Sequence, residues 1–405
     1  MKRVLFSMVL LMAVSVLFAQ TKAVKDAEKI AKEQKPDFAK AEQLINQALQ
    51  DPESKDDPAT LNAAGFIQKR IYEKEMEKAY LGQPYDTVKA YNGVLNMFKY
   101  YLKADDLAQI PDEKGKIKNK YRKPNLATLL IERPNLLNGG VNFFNADNNE
   151  KAYNFFAMYI DTSKHPMFAE QNFAKTDTLI SQVAYYATLA GVKMEDNEKT
   201  LKYASFAEDD KEVGKYAMEF VSIAYKAEGD TIKWIQSLKD GIAKYPEHSF
   251  FFGHLVDYYS NNEKFDEAMA FADDMIAKDP NNTFYLYVKG FLLHNMKDND
   301  RALEYYRKTI EVDPTYAEAY SNIGLIYIQK AQDYSDQATF NLDDPNYARD
   351  QEAIKKFFEE AKPYYEKARE LKPDQQDLWI QGLYRVYYNL NMGDEFDEIE
   401  KLMGI

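Results

Sequence analysis

An all-α fold of stacked helix–turn–helix units is what this sequence predicts, and three observations carry that expectation. Pro246, Pro280 and Pro314 follow one another at equal intervals of 34 residues, a period that belongs to a repeated pair of short antiparallel helices. Small and bulky residues recur at fixed distances from those prolines. Leu286, Gly290, Leu293, Ala302 and Tyr306 before Pro314 are matched by Phe252, Val256, Tyr259, Ala268 and Ala272 before Pro280. The chain also carries 31 Tyr and 24 Phe. Each ring buries roughly 150–250 Å² when packed, so a stack of helices has the apolar surface to hold itself together.

With the unit numbered so that its proline falls at position 32, the small residues at 8 and 20 let two helices approach and the bulky ones at 4, 11 and 24 fill the space between them. The proline cannot continue a helix and sets the turn into the next unit. In chain order, Ala41 to Pro52 is a copy one residue shorter than Ala302 to Pro314, with Leu61 and Gly65 suited to positions 4 and 8 of the next. Leu136, Gly140, Phe143, Ala152 and Phe156 repeat the spacing, residues 176–206 match it loosely, and Met218, Ser222, Tyr225, Trp234 and Leu238 repeat it with Trp in place of Ala. After the two regular units, Tyr320, Gly324 and Tyr327 are separated from Ala361, Tyr365, Ala368 and Pro373 by 25 extra residues. A last unit starts at Trp379 and Gly382 and closes on a short second helix at Ile405, as a terminal cap does.

These residues resemble the tetratricopeptide repeat (TPR), whose pattern is large at 4, small at 8, large or aromatic at 11, Ala at 20, large at 24 and Pro at 32. The resemblance implies a right-handed superhelical TPR α-solenoid of about 8–9 helix-turn-helix units. Irregular repeats are expected over 23–211 and a C-terminal array over 212–405, with an insertion near 332–356.

The N-terminus has Lys2 and Arg3, then an apolar run from Val4 to Phe18, then Ala19. This is the pattern of a secretory signal peptide, residues 1–19; the competing reading is an uncleaved anchor, for which the run is short of the roughly 20 residues of a span. Export to the periplasm or the extracellular space is the expectation, without stable membrane insertion once the signal is removed. There is no cysteine, which excludes disulfides, thiolate metal sites, a cysteine nucleophile and a lipid-acceptor cysteine. The net charge of −13 argues against a general affinity for nucleic acid. Locally, Lys114, Lys116, Lys118, Lys120, Arg122 and Lys123 lie between Pro111 and Pro124; they read either as a dock for an acidic partner or glycan, or as a solvated linker.

No catalytic constellation emerges. The four histidines, His165, His248, His254 and His294, form no i, i+4 pair, and no zinc-protease, nucleophile-elbow, Walker or dinucleotide motif is present. Asn145, Asp147 and Asn149 imitate a calcium loop, but Glu150 stands where glycine is needed and Phe156 where the bidentate glutamate belongs. They read as a polar turn. Neither an enzyme, a cofactor nor a metal site is expected.

In TPR proteins the first helix of each unit lines the concave side. The resemblance therefore implies partner-binding positions at Phe250, His254 and Asp257; Phe284, Tyr287, Phe291 and Asn295; Glu318, Asn322 and Gln329; and Asp377 and Gln381. Phe284, Tyr287 and Phe291 share one helix face, and either form an anchor pocket or pack against the neighbouring unit. The family's carboxylate clamp for chaperone tails is not expected: Asn322 fits its asparagine, but the basic members are missing. The function implied is a non-catalytic protein–protein interaction scaffold of the bacterial cell envelope that grips another protein or peptide. The alternative is a glycan-binding or nutrient-uptake accessory protein that uses groove aromatics.

Overall fold

The computed structural model describes residues 21–405; the expected signal peptide lies outside them. By compactness the chain divides into two units, the first running to Ser237 and the second from Leu238 to Ile405. Among the described residues every regular element is helical. The first unit holds α1 (residues 21–32), α2 (Phe38–Gln50), α3 (Pro58–Tyr80), α4 (Thr87–Ala108), α5 (Arg122–Asn145), α6 (Asn149–Thr162), a 3₁₀ turn (Pro166–Gln171), the single turn α7 (Phe173–Thr176), α8 (Ile180–Lys193), α9 (Asn197–Ala204) and α10 (Gly214–Ala227). Helix α11 (Thr231–Lys244) carries the division. The second unit continues with α12 (Ser249–Asn261), α13 (Phe265–Lys278), α14 (Thr283–Asn295), α15 (Asn299–Val312), α16 (Ala317–Ser335), α17 (Tyr347–Leu371), α18 (Ile380–Asn389) and α19 (Gly393–Met403). With α7 set aside these make nine helix pairs, in line with the all-α stack expected.

The prolines do what their chemistry dictates. Pro246, Pro280, Pro314 and Pro373 each fall on the second residue after a helix end, α11, α13, α15 and α17 in turn. Inside the pairs a second device recurs, which the proline spacing does not reveal. Six hairpins have three-residue turns whose middle residue is left-handed: Asp147, Glu195, Gly229, Glu263, Lys297 and Asn391. Each is a Schellman cap. In the α14–α15 turn, for example, the Lys297 N–H donates to His294 O and the Asp298 N–H to Leu293 O, both at 2.9 Å. The residue after the left-handed one then opens the next helix: Asn148, Asp196, Asp230 and Asp298 each accept the N–H three residues on. The calcium-loop imitation is this turn between α5 and α6.

Small residues seat aromatic rings across each pair. A Cβ added to Gly290 would lie 2.8 Å from the Tyr306 ring, one on Gly140 2.3 Å from Phe156 and one on Gly324 2.6 Å from Tyr365; these are positions 8 and 24 of their units. Tyr365 also meets the following unit, where a Cβ on Gly382 would lie 2.2 Å from its ring. One side chain therefore rivets two hairpins together.

The 25 extra residues mostly lengthen helices. Helix α16 has 19 residues against 13 in α14, and α17 has 25 against 14 in α15, which leaves eight for a longer connector. That connector, residues 336–346, is pinned by Asp350, whose carboxylate accepts the Thr339 N–H (3.1 Å) and the Tyr334 hydroxyl (3.3 Å) and pairs with Arg349 (2.9 Å). In the first unit a buried Arg133 lies between the rings of Tyr159 (3.6 Å) and Phe173 (4.0 Å) and pairs with buried Asp177 at 2.6 Å.

Candidate partner-binding face

Helices α12, α14, α16 and α18 are the first helices of the second unit; on α14 and α16 the ring-on-glycine contacts above turn one face toward the pair's own second helix. The remaining faces carry the positions that the repeat pattern nominates. The structure sorts these residues into three groups.

The aromatic stripe packs between repeats. Phe252 on α12 lies edge-on to both Phe284 (5.6 Å between centroids) and Phe291 (5.8 Å) on α14. Tyr287 contacts Tyr306 of its own pair at 5.7 Å and Tyr316 of the next at 5.0 Å. Burial pushes its hydroxyl up to about 12. Of the two readings left open by the sequence, packing against the neighbouring unit takes most of these rings' surface. Phe250 stacks locally, edge-on to His254 at 4.5 Å.

A polar ladder joins successive first helices. Asn322 Nδ2 donates to the Tyr287 hydroxyl at 3.1 Å, and His294 Nε2 lies 2.9 Å from Gln329 Oε1. Both pairs are 35 residues apart, one repeat plus one, so each binds a helix to its counterpart in the next unit. Beside the ladder, Glu318 accepts from Lys372 Nζ, just past the end of the second helix α17, at 2.6 Å. Each such bond contributes on the order of 1 kcal/mol, somewhat more where a charge takes part. The ladder and the bond beside it engage polar groups that the repeat pattern assigns to a partner.

The third group is open. Asp257, Asn295 and Gln381 are exposed, as is Asp377. Asn295 is steadied by its own helix, donating to Phe291 O at 3.0 Å. These are the nominated residues with most surface left for a partner.

Two features of the first unit matter for chemistry. Ligand-type atoms of Asp105, Asp106 and His165 lie within 4.8 Å of one another, a juxtaposition across 59 residues that no local motif announces. Asp105 and His165 are already engaged. The buried Asp105 carboxylate accepts Asn119 Nδ2 (2.6 Å), Arg122 Nε (2.9 Å) and Arg122 Nη2 (2.6 Å). His165 Nδ1 accepts the Met167 N–H at 3.1 Å, so Nε2 carries the proton that faces Asp106 Oδ1 at 3.0 Å. This is the donor set of a loop anchor rather than of a cation site. The basic run between Pro111 and Pro124 spans the α4–α5 connector and the first two residues of α5; in the connector Lys118 pairs with Asp112 at 2.7 Å and holds the Asp112 carboxyl below its usual range.

With this geometry established, the family model described as TPR repeat matches residues 277–330, the stretch that carries α14, α15 and most of α16. The chain carries TPR repeats. Among curated relatives it is similar to the photosystem I assembly protein Ycf3 of Acaryochloris marina, 26% identical over 123 residues, 30% of this chain and 65% of that protein. The same protein of Cyanophora paradoxa is 27% identical over 100 residues, 24% of this chain and 51% of that one. The match thus spans less than two thirds of either relative. Among solved structures, the C-terminal part of a TPR repeat-containing protein from Cytophaga hutchinsonii is 15% identical with a TM-score of 0.36, covering 65% of this chain and 92% of that one. MamA from Desulfovibrio magneticus RS-1 is 13% identical with a TM-score of 0.28, covering 48% and 96%. TPR arrays, like other stacked repeats, present an extended surface to another protein. Among the described residues no helix is long and apolar enough to cross a membrane.

Proposed function

We propose that this TPR protein is a non-catalytic scaffold of the bacterial cell envelope which holds a protein or peptide along the first-helix face of its second unit. The observation that carries the reading is the division of labour on that face. Phe284, Tyr287, Asn322 and Gln329 fix neighbouring helices to one another, while Asp257, Asn295 and Gln381, one on each of three first helices, stay exposed. A rigid row of open polar positions suits an extended partner better than a small molecule, since no enclosed pocket is needed. The relatives named for photosystem assembly accord with a scaffold role. Export is supported by Lys2, Arg3 and the apolar run from Val4 to Phe18 that precedes Ala19. The packing of most of the aromatic stripe's surface between repeats weighs against an open sugar-stacking platform.

The test is a triple variant, Asp257→Arg, Asn295→Arg and Gln381→Arg, used as bait in cross-linked envelope extracts. Loss of the partner recovered by the parent chain, with the thermal midpoint unchanged, supports the reading. Recovery of the same partner in the same yield removes it.

A further inference from the structure

Two connectors that the partner-binding face does not use carry opposite charge, and each displays large apolar side chains to water. In the α4–α5 connector, Ile110 and Ile117 are 64% and 54% exposed; Lys114, Lys116 and Lys120 of the connector and Lys123 in the first turn of α5 are exposed around them. Its shape is fixed from within: Asp112 Oδ1 accepts the N–H groups of Lys114 (3.0 Å) and Lys116 (2.9 Å), and Arg122 is tied to Asp105. Lys114, Lys116 and Lys123 form no ion pair among the described residues.

In the α16–α17 connector, Phe340 and Leu342 are 62% and 76% exposed. They are flanked by Asp336, Asp343 and Asp344, with no lysine or arginine between 336 and 346. This loop too is fixed, by Asp350 at its base and by the Asp343 N–H to Asn341 Oδ1 and Asn346 N–H to Asp344 Oδ1 bonds (3.1 and 2.8 Å). A loop whose backbone is held while its apolar side chains stay in solvent is organised for contact rather than for burial at home.

We propose that the chain self-associates, the acidic apolar connector 336–346 of one copy docking on the basic apolar segment 110–123, the α4–α5 connector with the start of α5, of another. Charge selects the occupant. A chain of net charge −13 repels its own copies, so the basic connector is where a second copy's aspartates are attracted, and the flanking Ile, Phe and Leu side chains then bury one another. Two different surfaces meet, so the contact is heterologous: each copy keeps one connector free, and association proceeds to chains or to a closed ring. This goes beyond the scaffold reading and stands without it.

The test is sedimentation velocity of the full chain from micromolar to hundred-micromolar concentration. The mass is expected to rise with concentration, and the association to weaken about tenfold between about 0.05 and about 0.5 M NaCl as the charges are screened. Phe340→Ser with Leu342→Ser, or Lys114→Glu with Lys116→Glu, is expected to leave a monomer with parental helix content by circular dichroism. Adding Asp343→Lys and Asp344→Lys to the second variant is expected to restore association, which a merely structural defect would not allow. A parent chain that stays monomeric throughout, or association that persists in either variant, overturns the proposal.

Discussion

In the α14–α15 hairpin the Tyr306 ring lies over Gly290, sixteen residues earlier; in the α16–α17 hairpin the Tyr365 ring lies over Gly324, forty-one residues earlier. The contact survives although the chain between its partners differs by 25 residues. What the second unit keeps constant is a place where two helices meet at a glycine, and not a sequence distance. The two hairpins differ in their turns. The first closes on a Schellman cap at Lys297, while the second closes on an eleven-residue connector held by Asp350. They also differ in reach, because Tyr306 serves one glycine whereas Tyr365 serves two, Gly324 and Gly382.

The largest expected effect follows from that last difference. Tyr365→Ala opens a cavity shared by two repeats and is expected to cost about 3–5 kcal/mol, read by urea unfolding, with the α18–α19 pair losing amide protection as well. The same substitution at Tyr306 is expected to leave α18–α19 protected. Equal loss of protection in both variants would remove the idea that Tyr365 couples two units. Next, Gly382→Ala places a methyl 2.2 Å from the Tyr365 ring and is expected to cost about 1–3 kcal/mol by overpacking, against less for Gly290→Ala, where the separation is 2.8 Å.

A subtler contrast lies in the hydroxyls. The buried Tyr306 hydroxyl has no hydrogen-bond partner among the described residues, and burial raises its pKa. Tyr306→Phe is therefore expected to be neutral or to stabilise by about 1 kcal/mol, since an orphan polar group is removed. Smaller still, Lys297→Gly relieves a left-handed residue at φ 62° and is expected to add up to about 1 kcal/mol, less the flexibility glycine gives the unfolded chain. The connector supplies a pH test. The Thr339 N–H and Arg349 hold the Asp350 carboxyl below its usual range, so its anchoring is present above the ordinary carboxylate pKa and lost as pH falls through the lowered one. The protection factor of the Thr339 amide, its exchange rate relative to an unstructured amide at the same pH, should stay high at neutral pH and fall as pH drops below the ordinary carboxylate range.

Much of this fold was legible because the repeat writes its packing into residue size. Gly290, Ala302 and Tyr306 stand where the pattern puts them, and the four prolines sit at equivalent turns. The Schellman turns escaped notice because five of the six left-handed residues are Asp, Glu, Lys or Asn rather than glycine, so the cheapest signal for that conformation is absent. The face was only partly legible. A repeat position says which way a residue points and not what stands opposite, so Tyr287 and Asn322 were nominated together for a partner although they bind each other. Asp105, Arg122 and His165 meet through tertiary folding, across distances that no sequence window covers.

Cross-linking from single sites tests the scaffold reading most directly. A photoreactive residue placed in living cells at Asp257, Asn295 or Gln381, on first helices, is expected to give one discrete adduct. The same residue at Asp274 or Glu304, on second helices, is expected to give none. Equal adducts from both sets, or adducts only from the second helices, would contradict the assignment of the partner to the first-helix face.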